Sequence, residues 1–202
     1  MCFEAGTLLV HVCESDRDFF SLSNITKQEE WTPSKWPHLA EQLLTALHYL
    51  HRHHIIHRNI TKASVQISRK DWRVCLGDFF LATYAPSMSG SARLRNPVGA
   101  GVAMAPEMVK QLSYSYGVDI WAAGIALVSA RDTTKHPLLT PGVTCHEFDV
   151  IECTFFIGMG RPISLRMSDP QCKDFFSKML EPDPDERWTA EQLLEHPYLS
   201  KQ

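Results

Sequence analysis

Ile55-Ile56-His57-Arg58-Asn59-Ile60-Thr61-Lys62-Ala63-Ser64-Val65-Gln66-Ile67-Ser68-Arg69-Lys70-Asp71-Trp72-Arg73-Val74-Cys75-Leu76-Gly77-Asp78-Phe79-Phe80 is the stretch on which the fold turns. Two short apolar strands, Val65 to Ser68 and Val74 to Leu76, flank a polar turn at Arg69-Lys70-Asp71-Trp72, the pattern of a hairpin. A loop with charged residues lies at each outer end, His57-Arg58 before the hairpin and Asp78 after it. Upstream, Leu39, Leu43, Ala46, Leu47 and Leu50 recur at helical spacing and predict an amphipathic helix that delivers the chain to His57, with Pro33 and Pro37 suited to its first turn. Downstream, Tyr116 to Val128 is apolar on every side, which predicts a helix buried all round, the central post of the domain.

The charged loops resemble the catalytic and metal-binding loops of the protein kinase family. That family's pattern is His-Arg-Asp-x-Lys-x-x-Asn followed by Asp-Phe-Gly, with the first Asp as base and the Asn and second Asp on magnesium. Here Asn59 stands at the base position, Thr61 at the substrate-side Lys, Ser64 at the metal-ligand Asn and Phe80 at the Gly, while Asp78 keeps its identity. An amide cannot take up a proton, and positioned acid–base help is worth roughly 10²–10⁴-fold in rate. Ser64 offers one neutral oxygen where magnesium prefers carboxylate or carbonyl ligands in octahedral geometry, so Asp78 is the one metal ligand the resemblance leaves. Phe80 replaces a residue tolerant of positive φ with a bulky one, so the Asp78 loop is expected not to flex as in an ordinary kinase.

The likeness extends along nearly the whole chain, residues 1–202. Met1 to Leu8 resembles the end of the linker between the two kinase lobes, with no Gly-x-Gly-x-x-Gly loop, strand Lys or helix Glu before it. The expected fold is therefore mainly α: a kinase-like large lobe with a small hairpin, its small lobe absent. Residues 78–107 are the counterpart of the activation segment and close on Met104-Ala105-Pro106-Glu107; before it, Gly99-Ala100-Gly101-Val102-Ala103 stands where active Ser/Thr kinases of this type carry Gly-Thr-x-x-Tyr. The missing Thr hydroxyl would bond the base Asp and the Lys, and all three partners have changed together, at Asn59, Thr61 and Ala100. Thr83, Tyr84, Ser87, Ser89 and Ser91 are candidate phosphate acceptors, for which the resemblance makes Arg58 the reader; a Ser-rich flexible loop is the plainer reading. By the same resemblance His57 holds the loop backbone, Asp119 accepts hydrogen bonds from it, and Glu107 and Arg187 form a buried ion pair.

Thr7 to about Phe20 is expected to form a short helix, and Phe148 to Phe156 is expected to be helical. Ser168 is expected to cap a helix through Leu180, Thr189 and Gln192 form a capping box, and the last helix stops at His196-Pro197. The runs Ile157 to Pro162 and Glu181 to Pro197 are most similar to the mitogen-activated protein kinase kinase kinase (STE) branch.

With 202 residues, 44% of them hydrophobic, the chain suffices for one sizeable core. A net charge of −3 without runs of one sign gives no reason to expect nucleic acid or an anionic membrane as partner. The six cysteines, Cys2, Cys13, Cys75, Cys145, Cys153 and Cys172, form no Cys-x-x-Cys pair, which suits a reducing interior. The amino terminus lacks a basic n-region, and the longest apolar run, Ile120 to Ala130, is too short to span a bilayer, so a soluble cytoplasmic protein is expected. His48, His51, His53, His54 and His57 invite a zinc reading, but structural zinc usually recruits thiolates and no Cys is near in sequence; apart from His57 they read as the wet end of a helix.

These readings predict an inactive Ser/Thr kinase-like module that binds protein, with kinases of a MAP kinase cascade as candidate partners and no cofactor. The alternative is a residual or active Ser/Thr kinase, within a longer product, using ATP and magnesium at Asp78. A third is a remnant with no selected role. An apolar surface around Phe79, Phe80 and Leu81 is expected to be exposed.

Overall fold

The computed structural model describes residues 18–85, 94–131, 165 and 167–200. Strand β1 (Phe19–Ser21) runs into two 3-10 turns (Leu22–Lys27 and Pro33–Lys35) and then helix α1 (Trp36–Arg52). Strands β2 (Ile55–Ile56), β3 (Val65–Ser68) and β4 (Val74–Leu76) follow, then a 3-10 turn at Phe79–Leu81 and strand β5 (Thr83–Tyr84). A 3-10 turn (Gly101–Ala103) leads to the short α2 (Pro106–Val109), and α3 (Gly117–Arg131), α4 (Pro170–Met179) and α5 (Ala190–Leu194) complete the set.

Helix α3 is buried from Val118 to Ala130, as an all-round apolar helix must be, and forms the centre of the core. Helix α1 buries Leu39, Ala40, Leu43, Leu44, Leu47 and Leu50. Leu44 takes the buried place expected of Ala46, which is only half-buried. Gly124 lets the end of α4 approach α3: a Cβ there would lie 2.8 Å from Leu180 Cδ2 and 3.2 Å from Met179 Cβ.

The β content corrects the expectation of a mainly α lobe with a single hairpin. The β3–β4 hairpin forms in the predicted place, with Val65 opposite Leu76 and Ile67 opposite Val74. Its outer edge on β3 is taken by antiparallel β1, where a helix through Phe20 was expected: Phe20 pairs with Ile67, and Ser21 with Gln66. That pairing satisfies backbone groups on β3 that would otherwise stand open, a long-range demand the local pattern does not carry. A second sheet pairs Ile55 of β2 with Tyr84 and Ile56 with Thr83 of β5. On the other side of the hairpin, the Gln42 amide of α1 accepts from the Val74 N–H (2.9 Å) and donates to the Trp72 carbonyl (3.1 Å), tying the hairpin to the helix.

The caps show local chemistry at work. Thr189 and Gln192 form the predicted capping box of α5. Helix α4 is capped by Asp169 and not by Ser168: Pro170 occupies the first turn, and the Asp169 carboxylate accepts from the Gln171 N–H at 3.0 Å. The expected helix at Phe148 to Phe156, the run Ile157 to Pro162, Ser87, Ser89, Ser91 and the Met1 to Leu8 stretch lie outside the described residues. No helix among the described residues is long and apolar enough to cross a membrane.

Candidate active site

Helix α3 fixes the loop that follows β2. The fully buried Asp119 carboxylate accepts the His57 N–H on Oδ2 and the Arg58 N–H on Oδ1, both at 2.8 Å. His51 Nε2 meets the same Oδ2 at 3.0 Å. His51 was expected at the wet end of α1, yet it extends the buried stripe at Leu47 and Leu50. Its i+4 spacing from Leu47 was the signal that could have placed it.

His57 is itself buried. Its Nε2–H donates to the Gly77 carbonyl (2.9 Å) and its Nδ1 accepts the Asn59 N–H (3.2 Å), so the ring is one defined neutral tautomer bridging the two loops. Burial pushes its pKa below 6.5, and the Asp119 charge, the Gly77 carbonyl and Asp78 oppose that shift. Phe79 packs on the ring with centroids 4.5 Å apart.

Arg58 adopts a left-handed conformation (φ 62°) and sends Nε–H to the Leu81 carbonyl at 2.7 Å and Nη1–H to the Tyr114 hydroxyl at 3.3 Å. Tyr114 in turn donates to the Asn96 carbonyl at 2.8 Å. Sequence reading did not find Tyr114. Gly99 completes the frame: its φ is +103°, and a Cβ would fall 2.4 Å from the Arg58 carbonyl oxygen, so only glycine lets this segment lie on the loop.

The residues at the altered positions lie together. Asn59 Nδ2–H donates to Asp78 Oδ2 at 2.7 Å, joining the base position to the one unchanged acidic position. Asp78 has φ 62° and ψ 56° and precedes the Phe79–Leu81 turn without capping it through its side chain. Thr61 and Ser64 bind each other: the Ser64 hydroxyl accepts the Thr61 N–H (2.8 Å) and donates to the Thr61 carbonyl (3.1 Å), while Thr61 Oγ1 accepts the N–H groups of Ala63 (3.2 Å) and Ser64 (3.1 Å). Phe80 is not at positive φ; it sits inside the 3-10 turn with its side chain 94% exposed, whereas Phe79 and Leu81 are half-buried. The exposed apolar surface is thus narrower than expected. Among the described residues no group of three or more His, Cys, Asp or Glu side chains is placed to hold a metal ion.

Glu107 and Arg187 pair through two bonds, Nη1–Oε1 at 2.6 Å and Nη2–Oε2 at 2.9 Å, both side chains buried. Arg187 also donates to the carbonyls of Glu181 (2.8 Å), Gly117 (3.0 Å) and Pro182 (3.4 Å).

Comparison with known proteins agrees with this framework. A family model described as "Protein kinase domain" matches residues 4–199. Serine/threonine-protein kinase sid1 of Schizosaccharomyces pombe is 32% identical over 199 residues, 98% of this chain and 40% of that protein. Mitogen-activated protein kinase kinase kinase 4 of Homo sapiens is 34% identical over 170 residues, 79% of this chain and 10% of its own length. Mitogen-activated protein kinase kinase kinase ANP1 of Arabidopsis thaliana is 32% identical over 161 residues, covering 78% and 23%. The chain therefore spans less than half the length of these relatives. The span of the family match, taken with the five strands among the described residues, overturns the expectation of a large lobe alone with its small lobe absent and points to a nearly full kinase domain.

Proposed function

The chain belongs to the protein kinase domain family, and from that premise we propose that it is a Ser/Thr kinase-like protein that does not transfer phosphate and acts as a protein-binding or regulatory module. One contact carries the reading: the group at the base position donates a hydrogen bond to Asp78. A general base must take up the proton it removes, and a carboxamide cannot: its nitrogen lone pair is delocalised, and its oxygen accepts hydrogen bonds without being basic enough to be protonated. Ala100 lacks the hydroxyl that would bond a base Asp and the substrate-side Lys, and Thr61 lacks that Lys ammonium. The frame that presents a kinase site is kept by Asp119, His57, Gly99 and the Glu107–Arg187 pair. The names of two relatives suggest proteins of a MAP kinase cascade as partners, and the scattered cysteines suit the cytoplasm as the compartment.

These oxygens also fit magnesium poorly. Asp78 Oδ2 faces the amide hydrogens of Asn59, and the Ser64 hydroxyl oxygen, a neutral ligand, already accepts the Thr61 N–H. The test is a phosphoryl-transfer assay with ATP, magnesium and a generic protein substrate, run beside a thermal melt with and without nucleotide. The expected result is no transferred phosphate and an unmoved melt. Transfer that disappears in Asp78→Ala would instead identify a residual Ser/Thr kinase.

A further inference from the structure

Asp78 holds a left-handed backbone conformation, which an Asp tolerates and which persists only where its surroundings fix it. Its neighbours are fixed from the hairpin side: Gly77 N–H donates to the Ser64 carbonyl at 2.8 Å, and the Gly77 carbonyl accepts from His57. The side chain is held from across the site, by Asn59. Asn59 is fixed in turn, because its own N–H binds His57 Nδ1. Its Oδ1 lies 4.0 Å from where a Cβ on Gly99 would sit. Turning the amide over would set Oδ1 against the Asp78 carboxylate, acceptor against acceptor, so the orientation with Nδ2 toward Asp78 is the one the network allows.

We propose that Asn59 is a positioning residue whose carboxamide locks the Asp78 loop and supplies the partial positive charge that a cation would otherwise bring to that carboxylate, so that the chain sets its own loop conformation without a ligand. This rests on the inactive reading above and deepens it: the change at position 59 removes a base and also installs a latch. A carboxylate at position 59 would leave two anionic oxygens separated by a hydrogen-bond distance with no proton donor between them. The loop would then need a cation to hold its shape.

The test exchanges donor and acceptor. Asn59→Asp, Asn59→Ala and the double variant Asn59→Asp/Asp78→Asn are melted with and without millimolar magnesium, and exchange of the backbone amides of residues 78–82 is followed. The wild type is expected to melt at one temperature whether or not magnesium is present. Asn59→Asp is expected to melt about 2–6 °C lower, the low end for loss of a hydrogen bond to a charged group because Asp78 is solvent-exposed, and to regain the difference with magnesium. Asn59→Ala is expected to exchange those amides about tenfold faster. The double variant re-forms the bond in reverse, and Asn suits a left-handed position, so it is expected to melt and exchange as the wild type without magnesium. Should Asn59→Asp not fold, recovery in the double variant relative to Asn59→Ala decides. A double variant no better than the single one, or a wild-type melt raised by magnesium and no longer raised in Asp78→Asn, overturns the latch. A failed exchange in a chain that transfers no phosphate removes the latch alone. A working exchange in a chain that does transfer phosphate removes the inactive reading alone.

Discussion

Arg187 offers the sharpest test of how the frame is held. Its guanidinium has five N–H groups, and five acceptors surround it: both Glu107 oxygens and the carbonyls of Glu181, Gly117 and Pro182. Replacing Arg187 by Met leaves the Glu107 carboxylate buried without its counter-ion, which costs about 3–5 kcal/mol. For a simple buried ion pair, replacing both partners by apolar residues of similar volume is often neutral or better. That recovery is not expected here. The double variant Glu107→Leu/Arg187→Met relieves the stranded charge but leaves three backbone carbonyls without their donor, at about 1–3 kcal/mol for each one that water does not reach. Urea unfolding read by tryptophan fluorescence should therefore show the single variant losing about 3–5 kcal/mol and the double variant still short of the wild type by about 2 kcal/mol or more, with the denaturant slope unchanged. A double variant as stable as the wild type would refute this reasoning, since the carbonyl contacts would then contribute nothing.

Three further outcomes are expected. Gly99→Ala places a Cβ against the Arg58 carbonyl at a positive φ, so the variant should lose about 1–3 kcal/mol, with faster amide exchange over residues 57–61 as the local readout. The His57 pKa is depressed by burial, so its contribution to stability is fully present above the unfolded value of 6.5 and is lost as pH falls through the lower folded value; an NMR titration of the His57 ring should find its midpoint below 6.5, and the melting temperature should fall on acidification across that window. Thr189→Ala removes the side chain that accepts the Gln192 N–H and should cost about 1 kcal/mol in the same urea assay, confined to the α5 end of the molecule.

What could be read from the residues was what depends on neighbours along the chain. The apolar run of α3 admits only a buried helix, and the alternation around Arg69 to Trp72 admits only a hairpin, so both formed where expected. The Thr189 capping box is likewise a four-residue device. The failures fall where two distant segments decide the outcome. Phe20 became a strand because β3 had an open edge, a fact invisible within residues 7–20. Ser168 and Asp169 both have capping chemistry, and it is Pro170, fixing the first turn, that selects the second.

The site divides in the same way. That Asn59, Thr61 and Ser64 depart from the family pattern was visible in the sequence, but what those residues bond to was not. A substituted catalytic residue still carries donors and acceptors, and in a half-buried loop those must find partners. Ser64 and Thr61 found each other three residues apart, within reach of a local reading. Asn59 found Asp78 nineteen residues away, across the hairpin that both loops flank. Each of these three side chains thus closes a contact inside the protein. On the inactive reading proposed above, such a site leans on its own internal bonds in place of a ligand, which is why Asn59 is expected to hold its loop most firmly.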